Sequence, residues 1–195
     1  MLATALPAAA FTVTITAANP KAIYLQVGVG TFTGNYSSGG TPGNNTTVNT
    51  VSVSVPANAV GTGVAQTMTS NSTASTSFYD GYAFCNAPAQ IYIGGFYRNT
   101  TNTGGATLTA TSPTNLASAG GDTIPFTQIS WTSSGNGDTG AQPFPAGTFA
   151  GGTQTIGSIS RNQWAESCHT FSYANSNFVA AGTYTGRVTY TLSTP

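Results

Sequence analysis

Phe11-Thr12-Val13-Thr14-Ile15-Thr16-Ala17 alternates without a break between an apolar side chain and a threonine. Successive side chains of a β-strand point to opposite faces. The pattern therefore sets Phe11, Val13 and Ile15 on one face and Thr12, Thr14 and Thr16 on the other. The same two-residue period returns along the chain. Ile23, Leu25, Val27 and Val29 mark a second run, separated from the first by the breaker Asn19-Pro20. Val51, Val53 and Val55 alternate with Ser52 and Ser54 and stop at Pro56. Phe78, Tyr82 and Phe84 lead to Cys85, Ile91-Tyr92-Ile93 follows it, and Thr107 to Thr111 ends at Ser112-Pro113. At the far end Tyr184, Gly186, Val188, Tyr190 and Leu192 share one parity, with Thr185, Arg187, Thr189 and Thr191 on the other. No window carries a 3.6-residue stripe. The fold class is all-β, an antiparallel β-sandwich.

One segment changes phase. Ile124 and Phe126 have one parity, Ile129 and Trp131 the other. Keeping all four inward requires one extra residue, which predicts a β-bulge near Thr127-Gln128. The alternative is a strand that crosses an edge with both faces buried. The spacers at 37–50, 61–76, 99–105 and 133–152 are rich in Gly, Ser, Asn and Thr and exceed hairpin length. They read as solvated connectors or as display surfaces.

The composition narrows the function. Charged residues are 4% of the 195, with Lys+Arg 4 and Asp+Glu 4, against about 25% in an ordinary soluble domain. Lys21, Arg98, Arg161 and Arg187 are scattered, so no phosphate-neutralising surface exists and nucleic acid is excluded as a partner. With formal net charge +0, little electrostatic repulsion keeps copies apart. Residues 1–10 are small and apolar and end in Ala8-Ala9-Ala10, which matches the remnant of an export signal; a docked N-terminal arm is the other reading. In an exported protein the even pair Cys85 and Cys168 reads as a disulfide, with two separate buried thiols as the alternative.

Little chemistry is available. The acids are Asp80, Asp122, Asp138 and Glu166, scattered and without calcium-ligand spacing. The densest constellation runs from Arg161 to His169 and holds Trp164, Glu166, Cys168 and the one His. A Cys beside a His suggests a nucleophile and its base. On a strand, however, Cys168 and His169 point apart. The segment reads instead as a disulfide anchor beside a loop in which Arg161 pairs with Glu166. No catalytic residue, metal site or cofactor is assigned. Trp131, Trp164, Tyr36, Tyr79, Tyr92 and Tyr97 are candidates by type for stacking on sugars, which leaves a secreted carbohydrate-binding or surface-display module as the alternative function.

Three stretches together resemble subunits of chaperone–usher pili and spore-coat-U-like proteins: the strand Phe11 to Ala17, the run from Asn115-Leu116 through Ile124-Pro125-Phe126 to Ile129-Ser130-Trp131, and the close Ala181-Gly182-Thr183-Tyr184-Thr185-Gly186-Arg187-Val188 to Leu192. The resemblance implies an immunoglobulin-like sandwich that lacks one strand and is completed by the N-terminal extension of the next subunit. Residues 11–18 are then the extension and 19–195 the single domain. Phe11, Val13 and Ile15 become the inserted knobs, and Tyr184, Val188, Tyr190 and Leu192 line the receiving groove. The implied partners are copies of the same chain, a periplasmic chaperone, an outer-membrane usher, and host or matrix glycans. The implied place is an extracellular filament for adhesion or biofilm. Burying three such side chains is worth roughly 5–9 kcal/mol. The alternative for the N-terminal strand is pairing within its own sheet.

Overall fold

The computed structural model describes residues 11–101 and 103–195. The expected export-signal remnant at 1–10 lies outside them. The chain opens with β1 (Thr12–Thr14) and β2 (Ala22–Val27), with the cis peptide Asn19-Pro20 between them. Five two-residue stubs follow: β3 (Phe32–Thr33), β4 (Thr41–Pro42), β5 (Val51–Ser52), β6 (Gln66–Thr67) and β7 (Thr69–Ser70). The long strands come next, β8 (Ile91–Arg98), β9 (Ala106–Ser112), β10 (Asn115–Ser118), β11 (Thr123–Pro125) and β12 (Ile129–Ser134). The chain closes with β13 (Gly147–Thr148), β14 (Gly152–Ile159), β15 (Gln163–Tyr173), β16 (Tyr184–Thr185) and β17 (Thr189–Ser193).

The central sheet runs β13-β12-β15-β8-β2, with β1 and β6 also on β15. Facing it are two smaller sheets, β14-β9-β17 and β11-β10-β16. Every ladder is antiparallel. The main core lies between the layers. Ile91, Ile93, Tyr97, Ala165, Phe171 and Tyr173 of the central sheet pack there with Ala106, Leu108, Ala110, Ile156, Ile159 and Leu192. The fold is thus an all-β antiparallel sandwich, as the alternation implied.

The central strand is β15, in the segment the sequence reading treated as a loop. Its odd positions enter the main core, while Trp164, Glu166 and Cys168 face the other way. That second face is covered by the segments around Phe32, Tyr36, Phe78, Tyr79 and Phe84, which set an aromatic layer over Trp164, Phe96 and Tyr92. Ring centroids lie 5.2 Å apart for Tyr36–Trp164 and for Phe78–Tyr92, within the range of favourable aromatic pairs. The covering residues thus flank the spacers at 37–50 and 61–76, which the sequence read as solvated connectors or display surfaces, and from within those spacers Ala74 joins the layer. Backbones meet closely beneath it. A Cβ on Gly95 would stand 2.1 Å from the Tyr24 carbonyl oxygen of the neighbouring strand.

Two phase expectations are corrected. Phe126–Gln128 is a 3-10 turn, not a bulge, and it carries the chain from β11 in one sheet to β12 in the other. Ile124, Phe126, Ile129 and Trp131 are all buried because the strand changes layer. The run from Tyr184 to Leu192 is likewise divided: β16 pairs with β10 and β17 pairs with β9. Gly186 lies at the break, where a Cβ would meet Phe126 at 2.7 Å and Leu116 at 2.8 Å.

Candidate functional site

The N-terminal strand has the expected facing. Thr12 and Thr14 are exposed, Phe11 and Val13 are half-buried and Ile15 is buried. Its partner in the single chain is the chain's own β15, with Thr12 opposite Ala165, Val13 opposite Trp164 and Thr14 opposite Gln163. Two bonds extend the ladder: Ile15 N–H donates to the Asn162 carbonyl at 2.8 Å, and Glu166 N–H to the Phe11 carbonyl at 3.3 Å. The physical reason is a vacancy along β15. β12 occupies that side of β15 only from Cys168 to Tyr173, leaving the stretch before it for β1. The knobs enter the aromatic layer, Phe11 lying 5.7 Å from both Tyr79 and Phe84. Beyond the strand, Arg98 Nε donates to the Thr16 carbonyl at 2.6 Å and its Nη2 to the Ala17 carbonyl at 3.2 Å. Handing β1 to another copy therefore means exchanging an existing contact.

Two strand edges meet along one side of the sandwich. β2 is bonded to β8 on one flank and ends the central sheet; β17 is bonded to β9 on one flank and ends the facing sheet. The two edges lie against each other, and Lys21 Nζ joins them at one end by donating to Thr194 Oγ1 at 2.7 Å. Leu25 and Val27 pack against the core from β2, Tyr190 and Leu192 from β17. Ile23 shares the parity of Leu25 and Val27 yet is 47% exposed. An inward-facing isoleucine left half in water is apolar surface at this edge that another element could cover. Of the four residues expected to line a groove, Tyr190 and Leu192 lie on this edge and Val188 just precedes it. Tyr184 does not. It lies on β16 in a different sheet, and its hydroxyl donates to the Ala180 carbonyl at 2.8 Å.

The Arg161–His169 constellation is structural. Cys168 is joined to Cys85, with a Cα separation of 5.5 Å, so its sulfur is not a free nucleophile. His169 lies on the opposite face, fully buried, with Nε2 2.9 Å from the Phe144 carbonyl oxygen. Burial lowers its pKa to about 4, so the ring is neutral and Nε2 donates. Glu166 does not pair with Arg161, which is exposed. Its buried carboxyl accepts from the Tyr92 hydroxyl at 2.5 Å and from Trp164 Nε1 at 2.9 Å. Desolvation raises the Glu166 pKa, and hydrogen bonds from Ser77, Tyr92 and Trp164 partly offset that. Among the described residues no group of three or more His, Cys, Asp or Glu is placed to hold a metal ion. Of the aromatics considered for sugar stacking, Trp131, Trp164, Tyr92 and Tyr97 are buried and Tyr36 and Tyr79 half-buried in the aromatic layer.

No protein-family model matches the sequence, and comparisons with curated proteins and with solved structures find no match. The fold and its edges are thus the observations on which function is argued.

Proposed function

We propose that this chain is a structural subunit of an extracellular filament, assembled when the N-terminal strand of one copy inserts at the β2 and β17 edges of the next, for adhesion or biofilm. The observation that carries the reading is the pair of edges β2 and β17, each bonded on one flank only among the described residues, with Ile23 half-exposed on the first. Unpaired N–H and C=O groups on an edge are a template for another strand. A seven-residue segment of alternating knobs such as Phe11 to Ala17 spans roughly 23 Å, enough to run the length of either edge. Inserted there, Phe11, Val13 and Ile15 would cover Ile23 and complete an immunoglobulin-like sandwich, while Thr12, Thr14 and Thr16 stayed in water. The near absence of charge fits a joint made of apolar knobs and backbone ladders. The disulfide fits a secreted protein.

Ile23→Asp tests this. The site is exposed enough for the monomer to tolerate the change, but an inserted strand would bury the new carboxylate. Concentrated wild-type protein is expected to form fibres visible by negative-stain microscopy, and the variant to remain monomeric with an unchanged melting temperature. Wild-type protein that stays monodisperse, or a variant that assembles equally well, would overturn the reading.

A further inference from the structure

The outward face of the sheet β14-β9-β17 carries hydroxyls in register. Thr153, Thr111 and Thr189 stand opposite one another across the three strands. Thr155, Thr109 and Thr191 form the next row, and Ser158, Thr107 and Ser193 the third. All are exposed except Thr109 at the centre, which is half-buried. The alternate positions of these strands, among them Leu108, Ala110 and Leu192, point into the core, so the outward set is fixed by the pleat. A β-bulge between Thr155 and Gly157 keeps the third row in place. Without the extra residue Ser158 would turn inward; with it, Ile156 and Ile159 both reach the core and Ser158 stays outside.

Neighbouring strands lie about 4.8 Å apart, and alternate residues along a strand repeat at roughly 6.8 Å. The face is therefore a small two-dimensional lattice of hydroxyls, with threonine methyls interleaved. Among the described residues no charged or aromatic side chain interrupts it. The nearest charge along β17 is Arg187, which precedes the first row. Charged groups hold hydration shells of their own, and aromatic rings are the usual platform for a sugar; this face has neither. Among the described residues its hydroxyls are also largely free for an outside partner. The Thr111 and Thr153 hydroxyls bond each other at 2.8 Å, while the Thr109 and Ser193 hydroxyls make only long contacts of 3.4 Å to the backbone. Sheet twist rotates adjacent strands by roughly 20°, which limits any match to a patch three strands wide.

We propose that this threonine–serine face binds an ordered lattice of water, the surface of ice. The hydroxyls would occupy lattice positions and the methyl groups would shelter the ordered water between them. This reading is independent of the filament: a strand added beside β17 would extend the sheet without covering its outer face.

The test is slow growth of ice from a dilute solution of the full chain, followed by measurement of the protein in the ice and in the remaining liquid. Wild-type protein is expected to be enriched in the ice at least fivefold over a non-binding reference protein, and to slow recrystallisation. Thr109→Lys, which sets a charge at the centre of the array, is expected to abolish the enrichment. Thr148→Lys, an exposed change on β13, should leave it intact. Matching thermal melts of the three proteins would show that each is folded. Rejection of wild-type protein from the ice would overturn the proposal, as would equal enrichment of Thr109→Lys. Retention on crystalline cellulose or chitin without enrichment in ice would overturn it in favour of a polysaccharide ligand.

Discussion

Removing the covalent link between the aromatic layer and β15 gives a prediction whose size follows from the structure. Cys85 lies in the covering segment and Cys168 in the middle of β15, separated by 83 residues. Cross-linking a loop of that length removes denatured-state entropy worth roughly 4.5 kcal/mol at 25 °C in the chain-entropy treatment. A chain of 195 residues has an unfolding entropy of about 0.4 kcal/mol/K near its midpoint. The loss therefore corresponds to a fall in Tm of about 11 °C. The double variant Cys85→Ala, Cys168→Ala is the cleaner form, because it leaves no thiol to reoxidise. Differential scanning calorimetry of both proteins, with and without a phosphine reductant, is the assay. Reductant should lower the wild-type Tm towards that of the variant and leave the variant unmoved. A fall below about 3 °C would refute the reasoning, since it would mean that the aromatic layer holds the loop closed in the denatured chain or that the bond does not form.

Three further outcomes follow from the buried groups. Glu166→Gln should raise stability at pH 7–8, because the folded state raises the carboxyl pKa and so loses stability as pH climbs through it, while an amide oxygen can still accept from Tyr92 and Trp164; urea titrations across pH would show it, and a lower midpoint at pH 8 would count against it. For His169 the sign is opposite. The folded pKa of about 4 lies below the usual 6.5, so the unfolded state binds the extra proton and stability falls as pH drops from 6.5 to 4, by roughly 3 kcal/mol in total; His169→Gln should flatten that limb. Gly95→Ala should cost about 3 kcal/mol or more, since its Cβ would press on the Tyr24 carbonyl and part β2 from β8, and an unchanged denaturant midpoint would contradict the packing.

Legibility in the sequence followed burial. Strands with one wet face announced themselves: Ala106 to Ser112 alternates buried and exposed almost perfectly, and its threonines mark the wet positions. The disulfide was legible from its two cysteines. The strand β15 was not, because both of its faces are buried and it mixes Trp164, Glu166, Cys168 and His169 without a period. Buried polar groups with partners from distant segments, such as Tyr92 for Glu166, leave no local mark. The signal that could have found it is the pair Gly94-Gly95 in Ile91 to Arg98, since glycines inside an apolar run point to a crowded, two-sided strand. The turn at Phe126–Gln128 was felt as a phase break, but parity alone does not distinguish a bulge from a change of sheet. A receiving edge was implied only by the resemblance, and of the residues named for it Tyr184 lies in another sheet; that β2 and β17 end their sheets depends on which strands have neighbours, which no local pattern records.

The most direct measurement of the filament account is a cysteine cross-link between copies. Thr14→Cys on one copy and Thr191→Cys on another place thiols on the outward faces of β1 and β17, away from the native disulfide. Mixed and oxidised, the two proteins should give a covalent heterodimer on a non-reducing gel, and a protein carrying both substitutions should give a ladder of higher species. If β1 remains on its own β15 in every copy, neither appears, and the proposed strand exchange is wrong.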